Sequence, residues 1–272
     1  MTTTAQIFRF LDGKAPFALQ ESWDNSGFLV GDPDTPVQRV LLSLDITDQV
    51  VEEAQALNVQ LIVSHHPLIF TPVKRMTLMP DDLAGRKLWH LARQNTAAIC
   101  CHTNLDAVEG GVNSALAQRL GLTGISQLAQ EGTDGQGRPY GIGRVGTLPR
   151  EMELDEFLSL VDACLRPNAL RYVDGGRPIR RVAVGGGACG SMLEDACRAG
   201  CDAFVTSDLK YNHFLDAKEL GITLVDAGHF PTENVVLPVL QAWLQEGFPE
   251  LDVVLSRLHH EVICCNRTEN YR

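Results

Sequence analysis

The sequence predicts an α/β protein made of two duplicated three-layer α/β lobes, and three observations carry that expectation. Residues 36–66 and 178–208 align at a constant offset of 142 without a gap, with six of 31 positions identical. Each copy reads strand, turn, helix, strand, which is a βαβ unit with its right-handed crossover. The run Leu61-Ile62-Val63 leads straight into Ser64-His65-His66-Pro67. A continuous branched apolar run is the signature of a parallel strand covered on both faces. The expected division is a first lobe over 1–125, a linker or hairpin over 126–138, and a second lobe over 139–272. Packing of the last strands on the first lobe is left open.

Taken in order, a short amphipathic helix near 5–11 precedes the first copy. Trp23-Asp24-Asn25-Ser26-Gly27 then has turn chemistry, and 28–30 form a short strand closed by Gly31 and Pro33. After His66, a loop containing Pro72 and Pro80 reads as a flap. A helix over 83–94 and a strand over 96–101 lead into His102-Thr103-Asn104-Leu105-Asp106. Residues 113–120 look helical, and the glycines at 121 and 124 end them. Residues 130–139 lack apolar periodicity and give the best linker or exposed hairpin. A strand over 140–148 and a helix over 154–165 open the second lobe, followed by the second copy. A helix ending at Leu220 has Gly221 as its stop, and a strand over 222–225 runs into Asp226-Ala227-Gly228-His229-Phe230-Pro231-Thr232-Glu233. Pro231 suits a first helical turn. Residues 235–245 continue as an apolar-periodic helix, and 252–256 with 261–265 are read as closing strands.

Composition narrows the function class. The chain has 272 residues, 44% hydrophobic and 21% charged, values of an ordinary globular protein. No run approaches the ~18 apolar residues of a membrane helix, and Met1-Thr2-Thr3-Thr4 starts no signal peptide. A cytoplasmic protein with no membrane partner is therefore expected. The eight cysteines include no Cys-x-x-Cys unit and read as reduced core thiols. A formal charge of −11 argues against a nucleic-acid surface, though not against a small anionic substrate.

The chemistry-bearing residues gather after strands. His65 and His66 follow one predicted strand, Asp106 follows another, and His229 with Glu233 follow a third. In α/β sheets such positions lie where ligands bind. His229 and Glu233 are four apart at a helix start, so they can face one point. Mixed imidazole and carboxylate donors suit Zn, Fe, Mn, Co or Ni. Five donors exceed one catalytic zinc site and fit two divalent ions per subunit, ~3.5–4 Å apart. A plainer reading of His229 and Glu233 is a turn histidine beside a helix-capping glutamate. His102 and His213 are candidates for catalytic proton transfer, or buried hydrogen-bonded residues. Gly185-x-Gly187-x-x-Gly190 has the bare form of a dinucleotide-binding fingerprint. Those glycines would equally serve close strand–helix packing. The pair His259-His260 reads as surface or edge.

Five motifs in order resemble the Nif-three-like family, the GTP cyclohydrolase 1 type 2 homologues. They are Trp23-Asp24-Asn25-Ser26-Gly27, Ser64-His65-His66-Pro67, His102 to Asp106, Ser207-Asp208-Leu209-Lys210-Tyr211, and Gly228 to Glu233. The resemblance implies a dinuclear metal centre between the two lobes, with His65, His66, Asp106, His229 and Glu233 as ligands. It also implies a toroidal homohexamer. The chain resembles the short form of the family, because no middle domain fits between 122 and 140. Asn212 departs from the pattern, since the family often runs its tyrosine directly into the histidine.

The function expected is that of a dinuclear metal-dependent hydrolase. A bridging water would lose a proton near neutral pH and attack an electrophilic centre. The family name implies opening of a purine ring, with a nucleotide or related small anion as substrate. The same donors would serve a metal-dependent phosphoesterase. A metal-binding hexameric assembly or interaction protein without turnover is the alternative of a different class.

Overall fold

The computed structural model describes residues 1–266, which fall into two units, 1–111 with 236–259, and 112–235 with 260–266. The first unit begins with α1 (Thr4–Lys14), β1 (Gly27–Val30), β2 (Arg39–Ser43) and α2 (Asp48–Ala56). It continues through β3 (Leu61–Ser64), α3 (Leu83–Gln94), β4 (Ala97–Cys100) and α4 (Thr103–Ala107). The second unit contains α5 (Val112–Arg119), β5 (Thr123–Gln127), β6 (Gly132–Thr133), β7 (Pro139–Tyr140) and β8 (Arg144–Met152). Next come α6 (Leu154–Leu165), β9 (Arg171–Val173), β10 (Ile179–Val184), α7 (Leu193–Arg198) and β11 (Ala203–Thr206). It ends in α8 (Tyr211–Leu220), β12 (Thr223–Asp226) and α9 (His229–Glu233). The chain then returns to the first unit with α10 (Leu237–Gly247) and β13 (Asp252–Leu255).

Local chemistry sets the helix ends. The Thr47 hydroxyl accepts a hydrogen bond from the Val50 amide at 3.2 Å and caps α2. The Asp82 carboxylate does the same for the Gly85 amide at 3.0 Å, and α3 stops at Asn95 with φ 53°. In α1, Ile7 and Leu11 lie one turn apart and are both buried.

The first sheet has the order β1-β4-β3-β2-β13. Strands β4, β3, β2 and β13 are parallel, and β1 closes one edge antiparallel. All four residues of β3 are buried, as the apolar run predicts for a central strand. Helices α2 and α3 cover one face, where Val50, Val51, Ala54 and Leu91 pack on Leu41, Ile62 and Ala98.

The second sheet has the order β5-β8-β10-β11-β12-β9. Its central strands β10, β11 and β12 are parallel, and β9 and β8 flank them antiparallel. Alternation along β10 divides the core. Val182 and Val184 face a cluster with Phe157 and Val161 of α6 and Leu116 of α5. Ala183 faces the opposite cluster, with Leu193 of α7 and Ala217 of α8. Helices on both faces of this mixed sheet make a three-layer α/β arrangement.

The internal repeat is visible in the topology. The series β1-β4-β3-β2 has the same order and strand directions as β9-β12-β11-β10. Residues 61–64 and 203–206 form equivalent strands, which preserves the offset of 142.

Three boundaries differ from the sequence reading. The units divide at 111/112 instead of near 125, because α5 and β5 pack and pair within the second unit. The last strand takes the first-lobe packing that the sequence reading left open, since β13 extends the first sheet beside β2, and all of 236–259, α10 included, joins the first unit. Residues 261–265 form no strand. The hairpin read near 130–139 is the pair β6–β7, and it belongs to the second unit. Among the described residues, no helix is long and apolar enough to cross a membrane.

Two outcomes test this packing. Phe157 is wholly buried, so Phe157→Ala should lower the unfolding free energy by about 3–5 kcal/mol. Exposed Ser159→Ala on the same helix should change it by less than ~0.5 kcal/mol; urea denaturation followed by circular dichroism reads both. Burial pushes the Cys101 thiol up to about 12 and the Cys100 thiol well above its usual range. At pH 8 (about the usual thiol pKa) iodoacetamide should therefore label exposed Cys264 and Cys265 and spare Cys100 and Cys101, as peptide mass spectrometry would show.

Candidate metal centre

In the first unit, the end of β3 is fixed before either histidine side chain is considered. The amides of His65 and His66 continue the ladder to the carbonyls of Ser43 and Leu44, at 3.3 and 2.8 Å. The Ser64 hydroxyl donates to the His66 carbonyl at 2.8 Å and tightens the turn. Pro67 has no amide hydrogen to extend it. Two stiff backbone positions thus deliver the adjacent imidazoles.

Each ring then has one nitrogen occupied. His65 is fully buried, and its Nδ1 lies 2.8 Å from the Cys101 carbonyl. A carbonyl only accepts, so Nδ1 carries the proton and Nε2 keeps a lone pair. Nε2 lies 3.7 Å from Asp106 Oδ1. His66 Nδ1 meets Asp45 Oδ1 at 2.8 Å, and His102 Nδ1 meets Asp24 Oδ1 at 2.8 Å. One ligand atom from each of His65, His66 and His102 falls in a group whose members lie within 4.8 Å of one another. Holding a ligand histidine through its second nitrogen is how metal sites set tautomer and ring orientation.

The two orienting carboxylates are themselves braced. Asp24 accepts from Ser26 Oγ at 2.8 Å, from the Thr103 amide at 3.1 Å and from the Thr103 hydroxyl at 2.5 Å. Burial alone would raise its pKa, but these hydrogen bonds and the His102 ring hold the carboxyl well below the usual range. Burial likewise opposes ionisation of Asp45, and bonds to His259 and His66 reverse the balance. His259 Nε2 lies 2.9 Å from Asp45 Oδ2, with the side chain 8% exposed. The His259-His260 pair was read as surface or edge; only His260 is exposed. Glu53 positions His259 by accepting from the Arg257 amide at 2.8 Å and the Ser256 hydroxyl at 2.5 Å. Neither Asp45 nor His259 stood out in sequence, because a carboxylate and a histidine 214 positions apart share no motif.

In the second unit, β11 ends at Thr206 and is followed by Ser207-Asp208, and β12 ends at Asp226. Asp208 has φ 53°, a left-handed conformation that a short polar side chain tolerates. Its carboxylate meets His229 Nδ1 at 2.7 Å. His229 Nε2 then faces Glu233 Oε2 at 2.9 Å, four residues on along α9. A ring with its proton on Nδ1 presents a lone pair there, an arrangement that a second ring proton or a cation satisfies. Asp226 binds the Leu209 amide and the Gly228 amide, each at 3.1 Å, so both loops are tied to one carboxylate.

The glycine loop explains itself through the same residues. Gly187 has φ 65°, and a Cβ there would lie 2.0 Å from Glu233 Oε1. A Cβ on Gly190 would lie 2.6 Å from the His213 ring. These glycines clear space for side chains. The helical segment after them is a three-residue 3-10 turn and the six residues of α7, too short to act as a phosphate-binding helix. His213 Nδ1 accepts from the Lys210 amide at 3.3 Å, at the start of its own helix. The donors assembled in each unit, imidazole nitrogen and carboxylate oxygen, fit a borderline divalent cation.

Comparison with known proteins agrees on kinship. The family described as Duf34/NIF3 (NGG1p interacting factor 3) matches residues 2–262. A Clostridium acetobutylicum protein named GTP cyclohydrolase 1 type 2 homolog is 36% identical over 248 residues, covering 91% of each chain. One of the same name from Clostridium perfringens is 35% identical over 232 residues, covering 85% of this chain and 87% of its own. A crystal structure of a Bacillus cereus protein related to NIF3 superposes with TM-score 0.89 at 25% identity, covering 98% of this chain and 99% of that one.

Two substitutions separate orientation from packing. Asp45→Ala should leave the fold intact and weaken zinc binding by about 10- to 100-fold, because His66 loses its orienting partner. Gly187→Ala should displace Glu233 and lower the metal content while the far-UV spectrum stays unchanged. Calorimetric zinc titration and elemental analysis read the two effects.

Proposed function

Because this chain belongs to the Duf34/NIF3 family, we propose that it is a metal-dependent hydrolase. In this reading His65, His66 and Asp106 of one unit and His229 and Glu233 of the other hold two divalent cations. The observation that carries the reading is the commitment of Nδ1 in His65, His66 and His229 to a carbonyl or carboxylate. Rings that only filled space would need no such uniform orientation. The cations would supply Lewis acidity and an acidified water.

The chain's own residues do the rest. His102 is held by Asp24, and one of its ring nitrogens falls in the group with His65 and His66. There it is suited to take a proton from the reacting atom or return one to the leaving group. Asp24 keeps it in one tautomer. The relatives carry the name GTP cyclohydrolase 1 type 2 homolog; in this proposal the substrate is accordingly a nucleotide, with the purine ring opened and formate released. Assembly as a toroidal homohexamer belongs to the same proposal, and light scattering at micromolar concentration tests it.

Gently purified protein should contain about two transition ions per chain; at most one after reconstitution would remove the dinuclear reading. Glu233→Gln keeps the shape but removes the charge that damps repulsion between two cations. It should lose at least one ion and cut turnover by orders of magnitude. Incubation with GTP and with a phosphodiester, with metal and with chelator, decides the reaction class. Chelator-sensitive formate release supports a cyclohydrolase, and cleavage of the phosphodiester alone a phosphoesterase. Bound metal without turnover of either would make the chain a metal-binding assembly protein.

A further inference from the structure

Trp23 and Phe70 are left 58% and 53% exposed in the first unit. Neither sits on a loose segment. Trp23 directly precedes Asp24, whose carboxylate also accepts from the Asn25 amide at 2.7 Å in addition to His102, Ser26 and Thr103. Phe70 directly follows Ile69, whose carbonyl accepts from Asn25 Nδ2 at 2.5 Å. The turn that carries one ring is therefore bonded to the loop that carries the other.

The rings stand together at the histidine cluster. Their centroids are 6.1 Å apart with the planes tilted by 55°. Trp23 lies 6.1 Å and Phe70 6.4 Å from the His102 ring, both near edge-to-face. His102 is in turn 5.2 Å from His65 and 5.4 Å from His66. Leaving two large aromatic faces in water is unfavourable, and such clusters mark binding surfaces. Fixed aromatic faces gain most from a flat, polarisable ring laid against them, with little entropy to lose on binding.

We infer that Trp23 and Phe70 form a stacking platform for a planar heteroaromatic ring, and that this platform places the ring beside His102. The statement that the ring is then acted upon rests on the hydrolase reading; the stacking rests on the rim geometry alone. A platform at this distance explains why the Trp23-Asp24 turn is bonded to His102. The carboxylate that fixes the imidazole also fixes the indole, so ligand and proton-transfer group keep one relative position.

The test uses full-length protein carrying Trp89→Phe and Trp243→Phe, which leaves Trp23 as the reporter among the three tryptophans of the chain. Guanosine monophosphate should quench its fluorescence saturably, with ribose 5-phosphate as the ringless control giving no quench. Calorimetry in the otherwise native chain should show guanosine monophosphate binding roughly 10- to 100-fold weaker to Trp23→Ala and to Phe70→Ala. Trp23→Phe should recover most of the loss, and zinc content should match the parent in all three. Absence of quenching by guanosine monophosphate, pterin and nicotinamide, or unchanged affinity in Trp23→Ala, overturns the platform. A shift of Trp23→Ala to a smaller species in light scattering also overturns it, since the rim would then be an interface between copies. If the parent takes up no metal, the hydrolase reading fails, while the fluorescence titration still decides the platform.

Discussion

One constraint recurs in both units: the histidines proposed as ligands or proton carrier at the strand ends have Nδ1 engaged by a backbone carbonyl or a carboxylate. Cys101 supplies a backbone carbonyl for His65, and Asp45, Asp24 and Asp208 supply carboxylates for His66, His102 and His229. A free imidazole has two tautomers and turns about χ2, so it offers a metal or a substrate either nitrogen in many directions. Once Nδ1 is engaged, Nε2 is the available donor and its direction is set. The carboxyls of Asp24 and Asp45 are held below their usual range by neighbouring donors despite burial. The orientation of these rings is thus set by atoms outside the proposed ligand set.

The duplicated frame distributes these roles unequally. At the offset of 142, His66 corresponds to Asp208 and Asp45 to Gly187. In the first unit the pair is a candidate ligand and the carboxylate that orients it. In the second, the strand-end position supplies the orienting carboxylate, and the ring it orients comes from the next strand, at His229. The position opposite has become a glycine, because Glu233 occupies the space its side chain would need. Equivalent backbone positions therefore kept their location in the sheet and exchanged their chemistry. A parallel βαβ frame permits this, since its strand ends all open toward one edge and any of them can carry a polar group there.

How much was legible in the sequence depended on the range of the interaction. Strand β3 was readable because four successive buried positions leave a continuous apolar run, and Pro67 marks its end. The repeat was readable because its spacing is gapless. Edge strands β5 and β9 were not read. Each lies at the margin of its sheet with exposed positions, so neither needs the apolar signature of an inner strand. The split at 111/112 was missed for a related reason. Helix α5 reads as an ordinary helix after the Asp106 segment, and only its packing against the second core assigns it there.

By itself the sequence determined which residues could do chemistry and roughly where on the chain each would stand. Hydrophobic run length, turn residues and the four-residue spacing of His229 and Glu233 are local properties. Tertiary structure alone decided which acceptor fixes each imidazole and why Gly187 has no side chain. It also placed His259 beneath Asp45 in place of the surface position its charged neighbours suggested. Those relations join positions as distant as 45 and 259, or 24 and 102. No periodicity encodes them, because they arise only when separate strand ends and the segment after β13 are brought within hydrogen-bonding distance.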